Sequence, residues 1–424
     1  MKRLRVRWWI YAYMFGFAAM AYVQRTTISV AAPELTQALQ LSKQQIGWLF
    51  LAFTTAYAIS QLPGGALGQR FGPRAVFTGV GLICVLATLA TALPPFVLGG
   101  TLLLLVLIAA QCLLGFGQGP VFPVFAAVVE RWFPSRQFGF ANGVISSGML
   151  LGGALTPPLL VALTAAVGWQ WAILCTAVPA ALLTIGWWRY GRDRPEQHPR
   201  VTAEELAELD SAPPAPPLTL ARMWQVLRDR NILLLTGSYL CMNFVFYMIS
   251  FWSFMYLVEQ RKLTGLESGL MAMVPWIGAA VGAAIGGVLA DRLATRFGAT
   301  RGYRLLPLIS LPLGAIMLIA IPAVGSVALA VAALTLAFFA MEVNEGPYWA
   351  ATMSIARADT GAATGVLNTG GNVGGMICQP VVAALVAGGE WTSAWVGGAA
   401  FALVAAALWL FVRSEQGSGG DRHA

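Results

Sequence analysis

Two hexapeptides, Gly65-Ala-Leu-Gly-Gln-Arg70 and Gly287-Val-Leu-Ala-Asp-Arg292, stand 222 residues apart. Each closes a long apolar run and carries the first basic charge after it. The same offset of 222 relates Ala141-Asn-Gly-Val144 and Gly152-Gly153 to Ala363-Thr-Gly-Val366 and Gly374-Gly375. A third pair, Gln118-Gly-Pro120 and Glu345-Gly-Pro347, keeps the order at a closely similar distance. Three matches in one order mark an internal duplication, so the fold is built from two like halves.

The medium in which those halves fold follows from composition. Of 424 residues, 58% are hydrophobic, 10% are charged and 46 are glycine; the mean hydropathy is +0.71. Soluble domains carry about 25% charged residues. This chain cannot cover a water-soluble surface, which excludes soluble enzymes and nucleic-acid binders. Apolar runs near the ~20 residues needed to cross a bilayer fall at 9–33, 45–68, 75–95, 101–129, 139–166, 169–188, 232–258, 266–290, 304–323, 326–355, 362–387 and 391–412. The expectation is an all-α integral membrane protein of twelve transmembrane helices in two pseudo-symmetric six-helix halves. No ten-residue alternation suggests a β-barrel, and no cleavable signal peptide is expected.

The basic residues are topology signals. Four of the 26 Lys and Arg lie outside segments on the N-terminal side of the membrane: Arg25 within the first run, and Lys43, Arg261 and Lys262 in opposite loops. Both termini are therefore expected in the cytoplasm of a bacterial inner membrane. The sequence divides into a half at 1–188, a cytoplasmic linker at 189–230 with a short acidic helix near 201–209, a half at 231–413 and a tail at 414–424. Both histidines, His198 and His423, lie outside the apolar runs, and the five cysteines show no CxxC spacing. No metal site, cofactor or enzymatic centre is expected, and the cysteines read as free thiols. Six plus six spans with parallel repeats suit a secondary transporter whose site lies near the midplane.

The segment Gly65-Ala-Leu-Gly-Gln-Arg-Phe-Gly-Pro-Arg74 resembles the loop signature of the major facilitator superfamily, with Gln69 where the family usually has Asp. Four further stretches are similar to its anion:cation symporter branch: Tyr22-Val-Gln-Arg25; Leu113-Leu-Gly-Phe-Gly-Gln-Gly-Pro-Val-Phe-Pro123 with Arg131-Trp-Phe-Pro134; His198-Pro-Arg-Val-Thr-Ala-Glu-Glu205; and Asn368-Thr-Gly-Gly-Asn-Val-Gly-Gly375. The resemblance spans nearly the whole chain. It implies import of sugar acids, hexuronates, tartrate, phthalate or sulfonates, mostly with protons, by a monomer. It also implies a cytoplasmic latch at Arg70, Arg74, Asp291 and Arg292, weakened by Gln69. The chain departs from the branch at Gln24, Gln111 and Gln118, amides where relatives usually carry Asp, Arg and Glu.

Charge inside a bilayer costs roughly 2.5–3.5 kcal/mol at the helix centre, so the intramembrane charges are candidates for function. Arg25 offers a fork matched to carboxylate or sulfonate oxygens; its structural alternative is to pair a buried acid. Glu342 and Glu345, three apart, cannot both ionise cheaply, which suits a proton carrier; otherwise one pairs with Arg25 or caps a helix broken at Gly346–Pro347. Glu345 is the internal-repeat counterpart of Gln118, placing the coupling acid in the second half. Tyr57, Gln61, Gln111, Gln118, Asn243, Tyr247, Trp349, Asn368 and Asn372 complete a candidate pocket, with Trp252 nearby; helix–helix bonding is their structural alternative. Sodium or exchange is the alternative to proton coupling, and proton-driven efflux of a drug or amphiphilic metabolite the alternative to import. A non-transporting sensor would want a long signalling tail. The partners expected are a small organic anion, protons and the lipid bilayer, with no nucleic acid.

Overall fold

The computed structural model describes residues 5–134, 138–209, 224–356 and 359–414, without the side chains at 62, 65, 66, 69 and 138–144. Gln69, whose identity was expected to weaken the latch, thus lies outside the described side chains. Among the described residues every regular element is helical. Two compact units form, and each is built from its own helix contacts.

The first unit comprises Met1–Pro214 with Ser253–Met273. It contains α1 (Val6–Leu39), α2 (Lys43–Ala92), α3 (Gly100–Gln118), α4 (Val121–Trp132), α5 (Phe138–Val167), α6 (Trp169–Tyr190) and α7 (Ala203–Ala207). A reciprocal cap starts α2: Gln45 N–H donates to Ser42 Oγ at 3.2 Å, and Ser42 N–H to Gln45 Oε1 at 2.8 Å, satisfying donors a helix start leaves open. One residue, Gly72 at φ 80° and ψ 157°, breaks α2 between the runs at 45–68 and 75–95. An L side chain rarely adopts that conformation, and a Cβ there would run into the Asp193 carboxylate. Gly119–Pro120 separates α3 from α4 within the run expected at 101–129. Helix α2 packs on α3, α4 and α6, and α1 on α5 and α6.

Ser253–Met273 joins this unit through close contacts. Lys43 Nζ pairs with Glu259 at 2.8 Å, and a Cβ on Gly269 would come within 2.7 Å of Pro158 Cα.

The second unit comprises Ala215–Trp252 with Val274–Ala424. Its helices are α8 (Arg230–Glu259) and α9 (Gly265–Phe297), both shared with the first unit, then α10 (Ala299–Ala323), α11 (Val327–Glu342), α12 (Glu345–Ala356), α13 (Thr360–Val386) and α14 (Thr392–Trp409). Helix α10 packs on α11, α12 and α14. The four-residue glycine rows act as backbone contact faces. Gly278, Gly282 and Gly286 of α9 lie on Thr335, Phe339 and Val343, while Gly370 and Gly374 of α13 lie on Thr236 and Leu240 of α8.

Ten described helical segments are long and apolar enough to cross a bilayer, and they coincide with ten of the expected runs. The runs at 9–33 and 45–68 are not among them; the helix spanning the former holds Gln24, Arg25, Thr26, Thr27 and Ser29. Leu151, Leu155 and Leu159 form a row along α5 that stays 45–50% exposed. Such a row suits lipid and would be a liability in water. All five cysteines are free thiols.

Candidate functional site

In the first unit Arg25 is 5% exposed. Its guanidinium carbon lies 4.6 Å from the Tyr22 ring centre, 5.1 Å from Phe53 and 4.5 Å from Tyr57. Phe53 and Tyr57, one turn apart on α2, stack at 5.9 Å. Three ring faces hold a cation through their quadrupoles, each worth about 0.5–2 kcal/mol. Gln61 follows Tyr57 by one turn and is also buried. The sequence brought Tyr57 forward as a candidate pocket residue; in the structure its ring lies against the Arg25 cation.

The three amides of this unit serve helix contacts. Gln24 Nε2 donates to Thr88 Oγ1 at 3.1 Å, Gln111 Nε2 to Thr91 Oγ1 at 3.2 Å, and Gln118 Nε2 to the Ala21 carbonyl at 3.0 Å. These bonds tie α1 to α2, α3 to α2 and α3 to α1.

The two acids of the second unit flank a helix break. Helix α11 ends at Glu342 and α12 opens at Glu345, so the interruption precedes the Gly346–Pro347 pair at which it was expected. Asn344, fully buried, stabilises the gap. Its Nδ2 donates to the Ala340 carbonyl at 2.6 Å and to Ser310 Oγ at 2.8 Å.

Glu345 accepts three hydrogen-bond contacts, from Tyr239 Oη at 3.1 and 3.2 Å and from Trp349 Nε1 at 2.8 Å. Glu342 is 5% exposed. The Tyr239 ring packs 5.0 Å from Tyr348, whose hydroxyl meets Ser238 Oγ at 2.6 Å.

Along α8, Tyr239, Asn243 and Tyr247 recur every fourth residue. Asn243 Nδ2 donates to the Tyr239 carbonyl at 3.0 Å, and Tyr247 Oη to Asn372 Oδ1 at 3.3 Å. Gly371 and Gly375 of α13 lie against the Tyr239 and Tyr247 rings. Asn368, one turn before Asn372, is half-buried. Trp252 Nε1 donates to Gln379 Oε1 at 2.9 Å with both residues fully buried. Tyr239, Asn344 and Gln379 were missed from sequence. The i, i+4 series through Asn243 and Tyr247 contained the signal for Tyr239.

The expected latch residues do not act alike. Arg74 Nε and Nη2 donate to the Trp188 carbonyl at 3.1 and 2.7 Å, and the Arg74 N–H donates to Asp193 Oδ1 at 2.8 Å. Arg70, Asp291 and Arg292 are exposed, and among the described residues they make no ion pair. The linker contributes instead. Glu205 of α7 accepts from the backbone N–H of Arg7 at 2.9 Å and of Val6 at 3.3 Å, capping α1. Arg5 and Arg7 both pair with Glu208. His198 is buried against Tyr190 at 4.7 Å and Trp132 at 6.3 Å, and its Nδ1 accepts from Arg200 N–H at 3.2 Å. Burial pushes the His198 imidazole below its ordinary range, with Arg192 and Arg200 adding to the effect. Hydrogen bonds from Arg7 and then Arg5 hold Glu208 below the usual carboxylate range.

Two helix-packed units with an aromatic-caged arginine in one and a hydrogen-bonded acid in the other define a polytopic membrane transporter. The Major Facilitator Superfamily profile matches residues 14–377, and the chain belongs to that superfamily. It is 32% identical over 387 residues to a probable sulfoacetate transporter of Cupriavidus necator, covering 90% of this chain and 87% of that protein. It is 29% identical to a probable galactarate/D-glucarate transporter of Escherichia coli, covering 97% and 95%. A hexuronate transporter of Bacillus subtilis matches at 26% over 62% of this chain and 60% of its own length. The fold matches the crystal structure of a bacterial homologue of the human lysosomal transporter Spinster with a TM-score of 0.74, 15% identity and 97% coverage of each chain. These relatives are membrane transporters, not enzymes, and their names place the chain in the organic-anion branch of the superfamily.

Proposed function

We propose that this protein imports a small organic anion, a carboxylate or a sulfonate, across the bacterial inner membrane by proton symport with alternating access. Arg25 carries the reading. A guanidinium held by three ring faces on an otherwise uncharged stretch of helix is suited to bind an anionic oxygen pair. The sulfoacetate, glucarate and hexuronate relatives support that class of substrate.

Gln61 and the α8 and α13 amides Asn243, Asn368 and Asn372 supply hydrogen bonds to the rest of the molecule. Glu345, with Glu342, carries the proton. Arg70, Arg74, Asp291 and Arg292 form the cytoplasmic latch. Both termini are cytoplasmic, and the protein works as a monomer.

The test is thermal stabilisation of the detergent-purified protein by sulfoacetate, glucarate and related anions at about pH 5.5 and about pH 7.5, since a ligand of the native state raises Tm. The expected result is a hit that vanishes in Arg25→Ala. No response to any anion, with shifts from cationic amphiphiles, would overturn import in favour of efflux.

A further inference from the structure

Glu345 is half-buried at the head of α12, and its two hydrogen-bond partners differ in what they can offer a carboxyl group. Trp349 Nε1, 2.8 Å from Oε2, can only donate, so it suits the ionised form. The Tyr239 hydroxyl stands 3.1 and 3.2 Å from the two oxygens. A phenol has a hydrogen and lone pairs, and the hydrogen turns about the C–O bond. The same oxygen therefore donates to a carboxylate and accepts from a carboxylic acid.

The ring that carries this hydroxyl is held from two helices. On α12, the Tyr348 and Trp349 ring centres lie 5.0 and 6.5 Å away. On α13, a Cβ at Gly371 would stand 2.7 Å from Tyr239 Cε1. The oxygen keeps its place while its hydrogen is free to turn.

The other titratable groups about the acid are engaged differently. The Tyr348 hydroxyl meets Ser238 Oγ at 2.6 Å, and that Oγ donates to the Ala405 carbonyl at 2.7 Å. Glu342 acts on Glu345 and on Tyr239 through its charge. Among the described residues no Lys, Arg or His pairs with either acid.

A proton carrier has to be accommodated in two charge states. An acid met only by donors loses that match when it takes up a proton, because its new O–H finds no acceptor. We infer that the Tyr239 hydroxyl keeps Glu345 hydrogen-bonded in both states, donating to the carboxylate and accepting from the acid, which makes Tyr239 a positioning residue for proton coupling. The inference rests on Glu345 as the coupling acid and adds the group that serves both of its forms.

The experiment is infrared difference spectroscopy of the purified full chain, titrated in pH with no organic anion present. It compares wild type, Tyr239→Phe and Glu345→Gln. The carbonyl band of a protonated carboxyl group is expected in wild type and lost in Glu345→Gln, which assigns it. Tyr239→Phe keeps the ring on Gly371 and removes the acceptor, so the band is expected to move to higher wavenumber. A ring-fluorinated tyrosine at position 239, a poorer acceptor of nearly the same shape, is expected to move it part of the way and serves if Tyr239→Phe fails to fold. A Glu345 band unmoved in the folded Tyr239 variants would overturn the role of Tyr239 and leave the coupling reading standing. A Glu345→Gln spectrum identical to wild type would overturn the coupling reading, and this inference with it.

Discussion

At the scale of the residue, the proposed function puts anion recognition on Arg25 and proton coupling on Glu345, so the two are expected to be separable. Arg25→Lys keeps the charge and loses the planar fork. A hydrogen bond to a charged group is worth about 1.5–3 kcal/mol, so Kd for the transported anion is expected to rise about 10–100-fold in a binding titration. Glu345→Gln is expected to abolish pH-driven accumulation in proteoliposomes while leaving anion counterflow intact. Normal accumulation in that variant would sink its role as coupling acid. Both residues were legible in the sequence, because a charge inside an apolar run demands a reason. Their surroundings were not. The cage around Arg25 combines Tyr22 of α1 with Phe53 and Tyr57 of α2, a packing relation that spacing within one helix cannot reveal. Tyr239 was hidden by its type, since a tyrosine in an apolar run reads as packing until its hydroxyl is seen on a carboxylate.

Individual elements are set by small residues and by caps. A Cβ at Gly282 would meet the Phe339 carbonyl at 2.7 Å, whereas one at Gly287 meets nothing within 4 Å. Gly282→Ala is therefore expected to cost about 1–3 kcal/mol and lower Tm, with Gly287→Ala close to neutral as its control. The glycine rows were legible as contact faces because a four-residue spacing has that single geometric meaning.

The linker was read as a connection and its acidic helix was foreseen, but its docking on the start of α1 was not. Nothing local to residues 191–209 announces which helix Glu205 will cap. This docking is expected to depend on pH. His198, lowered in the fold by burial and then by Arg192 and Arg200, takes up a proton more readily in the undocked chain as pH falls below the ordinary imidazole value of about 6.5. Glu208, also lowered, contributes above the ordinary carboxylate value and loses its contribution as pH falls through its folded value. Both shifts favour undocking in acid. Proteolysis of the 191–209 segment is expected to be faster at about pH 5 than at about pH 7.5, and His198→Phe to flatten the part of that dependence near pH 6.

The whole molecule repeats itself, but its two copies are not equivalent. Gln118 closes α3, while its repeat counterpart Glu345 opens α12; the same motif stands on opposite sides of a helix interruption. The duplication was legible from three spaced matches, the all-helical class from the apolar runs, and the superfamily from the resemblance carried by Gly65–Arg74 and the further branch-like stretches. The limits of the compact units were not, because Ser253–Met273 joins the first unit through contacts distant in sequence. For the orientation, single cysteines introduced at Arg200 and Lys262 of a cysteine-free variant are expected to label from the cytoplasmic and the outer side respectively. Labelling of both from one side would refute the topology.

The cap that Glu205 places on Val6 and Arg7 reaches across 199 and 198 residues, and this sets a sequence of events during biosynthesis. At about 5–20 residues per second, a ribosome needs roughly 10–40 s to make that distance. The first helix therefore enters the membrane with its leading amides open and Arg7 without its acids. A nascent chain released after residue 190 contains every long helix of that half and still lacks the means to finish its first turn. One released after Leu209 has it. The start of α1 is thus completed only well after it has been synthesised.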